Sequence, residues 1–214
     1  MTPHGRPTPA RRWRAVVLFA VATTGFAACG DDEPKTTSAS GGPAAAPAEQ
    51  PATTSTTVAP CTFSGATEPA GGGTDAPTRL LTDVRVGVHD CYERVTFEFK
   101  PQQGEADGPV SWKAAYEKGP ITEDGSGRTV PVKGAAFLVV TMSATGADLS
   151  QEGAPATYTG PTALSAEGSS RIQQVRRTGD FEGVLSWVIG LDRQRPFSVT
   201  TQGGPARVVI DVGD

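Results

Sequence analysis

From Thr78 onward, apolar and polar residues alternate with period two along most of the chain. Asp83–Val88 places Val84, Val86 and Val88 on one face. Arg94–Lys100 alternates without a fault: Val95, Phe97 and Phe99 point one way, and Arg94, Thr96 and Glu98 the other. Val110, Trp112, Ala114 and Tyr116 give a weaker strand. Ala135–Met142 and Gly183–Leu191 are continuous apolar runs that read as central buried strands. Pro196–Thr201 and Arg207–Val212 alternate again. Turn chemistry separates these runs, in Glu123-Asp124-Gly125-Ser126-Gly127 and in Thr178-Gly179-Asp180. No long segment repeats every 3.6 residues, so little helix is expected. About eight short strands at this spacing predict an all-β chain with a single β-sandwich over residues 78–212.

Before Thr78 the pattern is different. Arg6, Arg11, Arg12 and Arg14 form a basic stretch without an acidic residue, followed by the uncharged Ala15–Ala28. A run of 14 residues is shorter than the about 20 needed to span a bilayer. It fits the apolar region of a secretory signal peptide over residues 1–28. The run ends in Phe26-Ala27-Ala28-Cys29-Gly30, which resembles the lipobox of bacterial lipoproteins, although Leu, Val or Ile is usual where Phe26 stands. That resemblance implies a diacylglyceryl group on Cys29. Plain cleavage after Ala27 is the alternative, but it leaves three cysteines and therefore an odd thiol in an exported chain. With lipid on Cys29, Cys61 and Cys91 remain and can form a disulfide. A bridge closing a loop of about 30 residues contributes ~3–4 kcal/mol in the chain-entropy picture. Two acyl chains suffice for stable anchoring, so the membrane is an expected partner.

Residues 29–77 read as the lipidated cysteine followed by a disordered tether rich in Pro, Ala, Thr and Gly. Gly30–Pro60 contains one apolar residue other than Ala, Val58, and too little apolar surface to offset the entropy of ordering. As a flexible coil it reaches roughly 30 Å. Cys61 and Phe63 suggest that its far end touches the domain. Processing at Cys29 removes four arginines and moves the formal net charge from −4 to −8. Such an acidic chain is not drawn to nucleic acid by its field.

The residues carry little catalytic chemistry. Once residues 1–28 are removed, His89 is the sole His, and with its neighbours Asp90 and Cys91 it reads as a polar turn. There is no Gly-x-Ser-x-Gly elbow and no Ser-x-x-Lys sequence tied to acyl transfer. The glycine-rich Gly71-Gly72-Gly73 does not lie between a strand and a helix, so it is not a phosphate loop. The reading therefore assigns no catalytic residue, cofactor or metal. Candidate ligand-binding residues are Trp112 and Tyr158, as aromatic platforms for a sugar, and Arg94 and Arg207, which each begin an alternating strand. Each has a plainer alternative: packing for the two rings, cross-strand ion pairs for the two arginines.

The order of these segments resembles the AMIN-like domain of actinobacterial lipoproteins. The segments that carry it are Thr82–Asp90, Arg94–Phe99, Tyr158–Pro161, Thr178–Trp187, Arg195–Phe197 and Pro205–Val212, of which Thr178–Trp187 is the most specific. The related AMIN domain is a β-sandwich attached to cell-wall amidases and pilus secretins, thought to localise them by binding peptidoglycan. The resemblance implies a non-catalytic module held outside the cytoplasm at the membrane face, with cell-wall glycopeptide or an envelope protein as its partner. The alternatives are an accessory small-ligand receptor and a carboxylate-dependent cell-wall hydrolase.

Overall fold

The computed structural model describes residues 60–214. The expected signal peptide, Cys29 and the tether up to residue 59 lie outside the described residues. Ten strands follow in order: β1 (Ala70–Gly72), β2 (Arg79–Val88), β3 (Tyr92–Lys100), β4 (Trp112–Glu117), β5 (Ala136–Thr145), β6 (Ala163–Leu164), β7 (Ile172–Phe181), β8 (Val184–Leu191), β9 (Phe197–Gln202) and β10 (Ala206–Gly213). No helix occurs among the described residues, and the all-β expectation holds.

The strands form one hydrogen-bonded sheet in the order β6-β7-β8-β5-β2-β3-β10-β9, with β4 paired to β5 and β1 to β4. The sheet changes layer at β2. Most of β2 lies antiparallel to β3, but Arg79 and Leu80 pair in parallel with Ala144 and Thr145 of β5. This hand-over joins a four-stranded layer (β2, β3, β10, β9) to a six-stranded one (β6, β7, β8, β5, β4, β1).

Between the layers lies one core. Val95, Phe97 and Phe99 of β3 stand opposite Ile210, Val208 and Ala206 of β10. They meet Leu138, Val140 and Met142 of β5 and Leu185, Trp187 and Ile189 of β8. The Phe97 and Trp187 rings sit 5.7 Å apart at 60°, a tilted contact across the layers. The outer face of β8 is covered as well. A Cβ on Gly190 would fall 1.9 Å from the Lys133 carbonyl oxygen, so the chain leading into β5 crosses directly over this glycine. Burial on both faces is why Leu185–Leu191 is apolar apart from Ser186.

One long strand departs from the expected pattern. Thr178-Gly179-Asp180 lies inside β7, and the turn falls at Glu182-Gly183. Register shifts at Ile172/Gln174 and Arg177/Gly179 break the period of two. The buried residues Ile172, Val175 and Thr178 consequently fall three apart.

Strand structure begins before Thr78. Cys61 and Cys91 form a disulfide with their Cα atoms 5.1 Å apart, fastening this segment to the turn between β2 and β3. Phe63 packs beside Tyr92, and Ala66 exchanges backbone hydrogen bonds with Phe197. Residues 70–72 then pair with β4.

One inward position of β3 holds a carboxylate. Glu93 is fully buried. Its Oε1 accepts the N–H groups of Ser170 (2.8 Å) and Arg171 (3.0 Å), and its Oε2 accepts the N–H of Ile172 (2.7 Å) and the Ser169 hydroxyl. Burial alone would raise its pKa, but the donors from Ser169, Ile172, Arg171 and Ser170 outweigh it and hold Glu93 below the usual carboxylate range. Glu93 thereby fixes the point at which β7 begins.

Candidate functional site

Trp112 and Tyr158 turn their rings inward. Trp112 is 8 % exposed, with Gly72 lying against its indole. Its Nε1 has no hydrogen-bond partner among the described residues. Tyr158 is 6 % exposed, meets Trp187 edge-on at 5.9 Å and donates its hydroxyl to the Pro161 carbonyl at 2.7 Å. Neither offers a ring face to a sugar.

Arg94 and Arg207 share the outer face of the four-stranded layer. Arg94 stands opposite Asp211 and donates to both of its oxygens, at 2.6 and 2.8 Å. Arg207 stands opposite Glu98 and donates to it at 2.8 Å, with Arg85 reaching the same carboxylate at 3.3 Å. Glu98 is held below the usual range, first by Arg207 and then by Arg85. Both arginines are thus engaged in cross-strand ion pairs. His89 is exposed and stacks on Tyr92 at 4.6 Å. Among the described residues, no three His, Cys, Asp or Glu side chains gather into a group that could hold a metal ion.

The structure draws attention instead to the β7–β8 hairpin. Phe181 and Val184 face each other across a two-residue turn in which Glu182 (φ 51°) and Gly183 (φ 77°) are both left-handed, as a type I′ hairpin requires. A side chain at Gly183 would meet Thr78, so the tip rests on the chain entering β2. Phe181 is 61 % exposed and Val184 48 %. Among the described residues, Phe181 is the only exposed Phe, Tyr or Trp.

Beside Phe181 lies a cavity of about 400 Å³ lined by Glu123, Asp124, Arg176, Arg177 and Asp180. Loop and strand build it together. The 121–130 segment closes on itself through a Thr122–Thr129 bridge, and Glu123 accepts from the Ser126 hydroxyl (2.6 Å) and Arg128 (2.7 Å). Ser126 and then Arg128 keep the Glu123 carboxyl below its ordinary range. The Asp124 N–H donates to the Thr178 carbonyl at 3.0 Å, seating the loop on β7. The Asp124 carboxylate covers Gly179 so closely that a Cβ there would lie 1.9 Å from its Oδ2. Asp180 accepts the Gly146 N–H at 3.0 Å and an Arg177 N–H at 3.5 Å. Among the described residues, neither Arg176 nor Asp124 has an ion-pair partner. On the other strand of the tip, Val184 borders a hollow of about 250 Å³ with Trp112, Lys113 and Met142.

A model of the AMIN-like domain matches residues 79–214, which covers β2 through β10. The chain belongs to the AMIN-like domain family. No curated protein and no solved structure matches it. Membership of the AMIN-like family fits a non-catalytic binding module of the cell envelope and an extracytoplasmic setting. In this AMIN-like domain the segment Thr178–Trp187 is the end of β7, the turn and the start of β8. Phe181, Arg176 and Asp124 are not among the candidate residues that the sequence pattern offers. The signal available for Phe181 was an apolar residue on each side of Glu-Gly, a pair that suits a tight hairpin turn.

Proposed function

We propose that this protein is a lipid-anchored, non-catalytic module that binds cell-wall glycopeptide from the outer face of the membrane. The observation that carries the reading is the placement of the exposed Phe181 at the rim of a charged cavity in an AMIN-like domain. An exposed ring beside polar groups is the arrangement by which proteins grip amphipathic ligands. The Cys61–Cys91 disulfide supports an oxidising compartment and leaves Cys29 as the odd cysteine, free for lipid. The tether from Cys29 lets the domain reach into the wall while the acyl chains hold it at the membrane.

Two experiments test this reading. The processed chain carrying Cys29→Ser is mixed with insoluble peptidoglycan, with and without teichoic acid, and sedimented. Saturable pelleting on both supports it; a domain left in the supernatant overturns it; soluble muropeptides released in the tube would assign a hydrolase. For the anchor, cells are fed a labelled fatty acid. Label on the wild type that is absent from Cys29→Ser supports lipidation.

A second reading, an envelope-protein partner, has its own support. β9 pairs only with β10 apart from the Ala66 bridge at Phe197, so Val199–Gln202 is an open edge among the described residues. Such an edge suits strand addition by an extended segment of another protein.

A further inference from the structure

We infer that the cavity between the 121–130 loop and the end of β7 binds a short zwitterionic peptide, one that carries a free carboxylate held by Arg176 and a free ammonium held by Asp124. The inference deepens the wall-binding proposal and rests on it: within glycopeptide, it assigns the peptide rather than the glycan to this cavity.

Charge bookkeeping singles out this class of ligand. The cavity presents carboxylates from Glu123, Asp124 and Asp180 and guanidinium groups from Arg176 and Arg177. Glu123 is neutralised by Arg128, and Asp180 by Arg177. What remains is one cation, Arg176, and one anion, Asp124, which line the same cavity without forming an ion pair with each other or with any other described residue. A neutral sugar can hydrogen-bond to either group but leaves both charges uncompensated. A polyanion is repelled at Asp124, and a polycation at Arg176. A group carrying both charges satisfies both poles, each through charge-assisted hydrogen bonds.

The setting holds these poles apart. The Asp124 backbone is anchored on β7 by its N–H on the Thr178 carbonyl, and its carboxylate lies directly against Gly179, which leaves it no room to advance further toward the strand. Arg176 lies in β7 between β6 and β8, opposite Ala163 and Val188. Phe181 adds an apolar wall for the short aliphatic part between the charged ends. About 400 Å³ is near the lower end of small-ligand sites, which suits a peptide of a few small residues rather than a polymer strand.

The test is calorimetric titration of the processed Cys29→Ser chain, disulfide intact, with trialanine, N-acetyl-trialanine, trialanine amide and chitotriose. Trialanine is expected to bind, and capping either end to weaken it about tenfold, the worth of one charged hydrogen-bonded contact. Arg176→Gln should abolish the difference between trialanine and its amide while keeping the penalty for acetylation. Asp124→Asn should do the reverse, and both variants should keep the wild-type thermal midpoint. Equal binding of free and capped peptides, or binding of chitotriose alone, would overturn the inference. Peptidoglycan pelleting separates the two levels. A wild type that pellets but ignores trialanine removes the peptide assignment alone, whereas one that neither pellets nor binds trialanine removes the wall-binding reading too.

Discussion

The buried Glu93 accepts the backbone N–H of Ile172, 79 residues further along the chain, at 2.7 Å. This contact and its neighbours at Ser170 and Arg171 place the first residue of β7 against β3 across the two layers. Removing the charge leaves several buried N–H groups without an anion. Glu93→Gln is therefore expected to cost about 3 kcal/mol, read from the urea midpoint at neutral pH. The pKa of Glu93 is depressed by folding, so its contribution is complete above the ordinary value of 4.5 and fades as pH falls through the lower folded value. Acid titration of stability should consequently be less steep in Glu93→Gln than in the wild type. Parallel acid limbs would remove this account.

Two glycines separate packing from function. At Gly190 an added Cβ meets the Lys133 carbonyl oxygen, a backbone atom with nowhere to go, whereas at Gly179 it meets the exposed Asp124 side chain. Gly190→Ala should destabilise by about 3 kcal/mol, at the upper end of overpacking costs. Gly179→Ala should cost less, about 1–2 kcal/mol: the Asp124 carboxylate can rotate away, but its Cβ, 2.7 Å from the added methyl, shifts only with the exposed loop that carries it. The movement should nevertheless erase the preference for a free peptide amino end. Thermal melts and trialanine titrations on the same two samples check both statements.

How much of this could be read in advance depends on register. Val95, Phe97 and Phe99 alternate cleanly because β3 runs unbroken beside β10, so their inward face was plain. The ion pairs of Arg94 and Arg207 were legible as outward charges, and the facing of Asp211 and Glu98 came only with the pairing. β7 was hidden because its two register shifts abolish the period, and because Thr178-Gly179-Asp180 has the composition of a turn. Its glycine serves a different need, the close approach of Asp124. Glu93 sits at an inward position like Val95, yet no local feature tells a buried carboxylate from an exposed one. Its partners lie in a loop that only the closed sandwich brings near.

The Cys61–Cys91 bridge should matter for stability and for the N-terminal edge together. Removing it frees the segment whose Phe63 lies beside Tyr92 and whose residues 70–72 pair with β4. Cys61→Ser/Cys91→Ser should lose about 3–4 kcal/mol, the loop-closure value for this spacing. Amide exchange should speed up at Ala66 and at residues 70–72 before it does in β3 or β10. Uniform acceleration across both layers would show that the bridge holds the whole sandwich rather than this edge.

Trp112 and Phe181 should answer oppositely to truncation. Trp112 is 8 % exposed and belongs to the core cluster, so Trp112→Ala removes packed volume and should cost about 3–5 kcal/mol. Phe181 is 61 % exposed at the hairpin tip, and Phe181→Ser should alter stability by less than about 0.5 kcal/mol. Binding should rank them in the reverse order. With Trp112→Ala studied below its melting temperature, peptidoglycan pelleting should persist, whereas Phe181→Ser, fully folded, should pellet markedly less. The physical reason is that an exposed ring can gain from burial against a ligand, while a ring already buried has no further surface to give up. Unchanged pelleting by Phe181→Ser would detach the hairpin tip from wall binding and leave the open edge of β9 as the surface to test next.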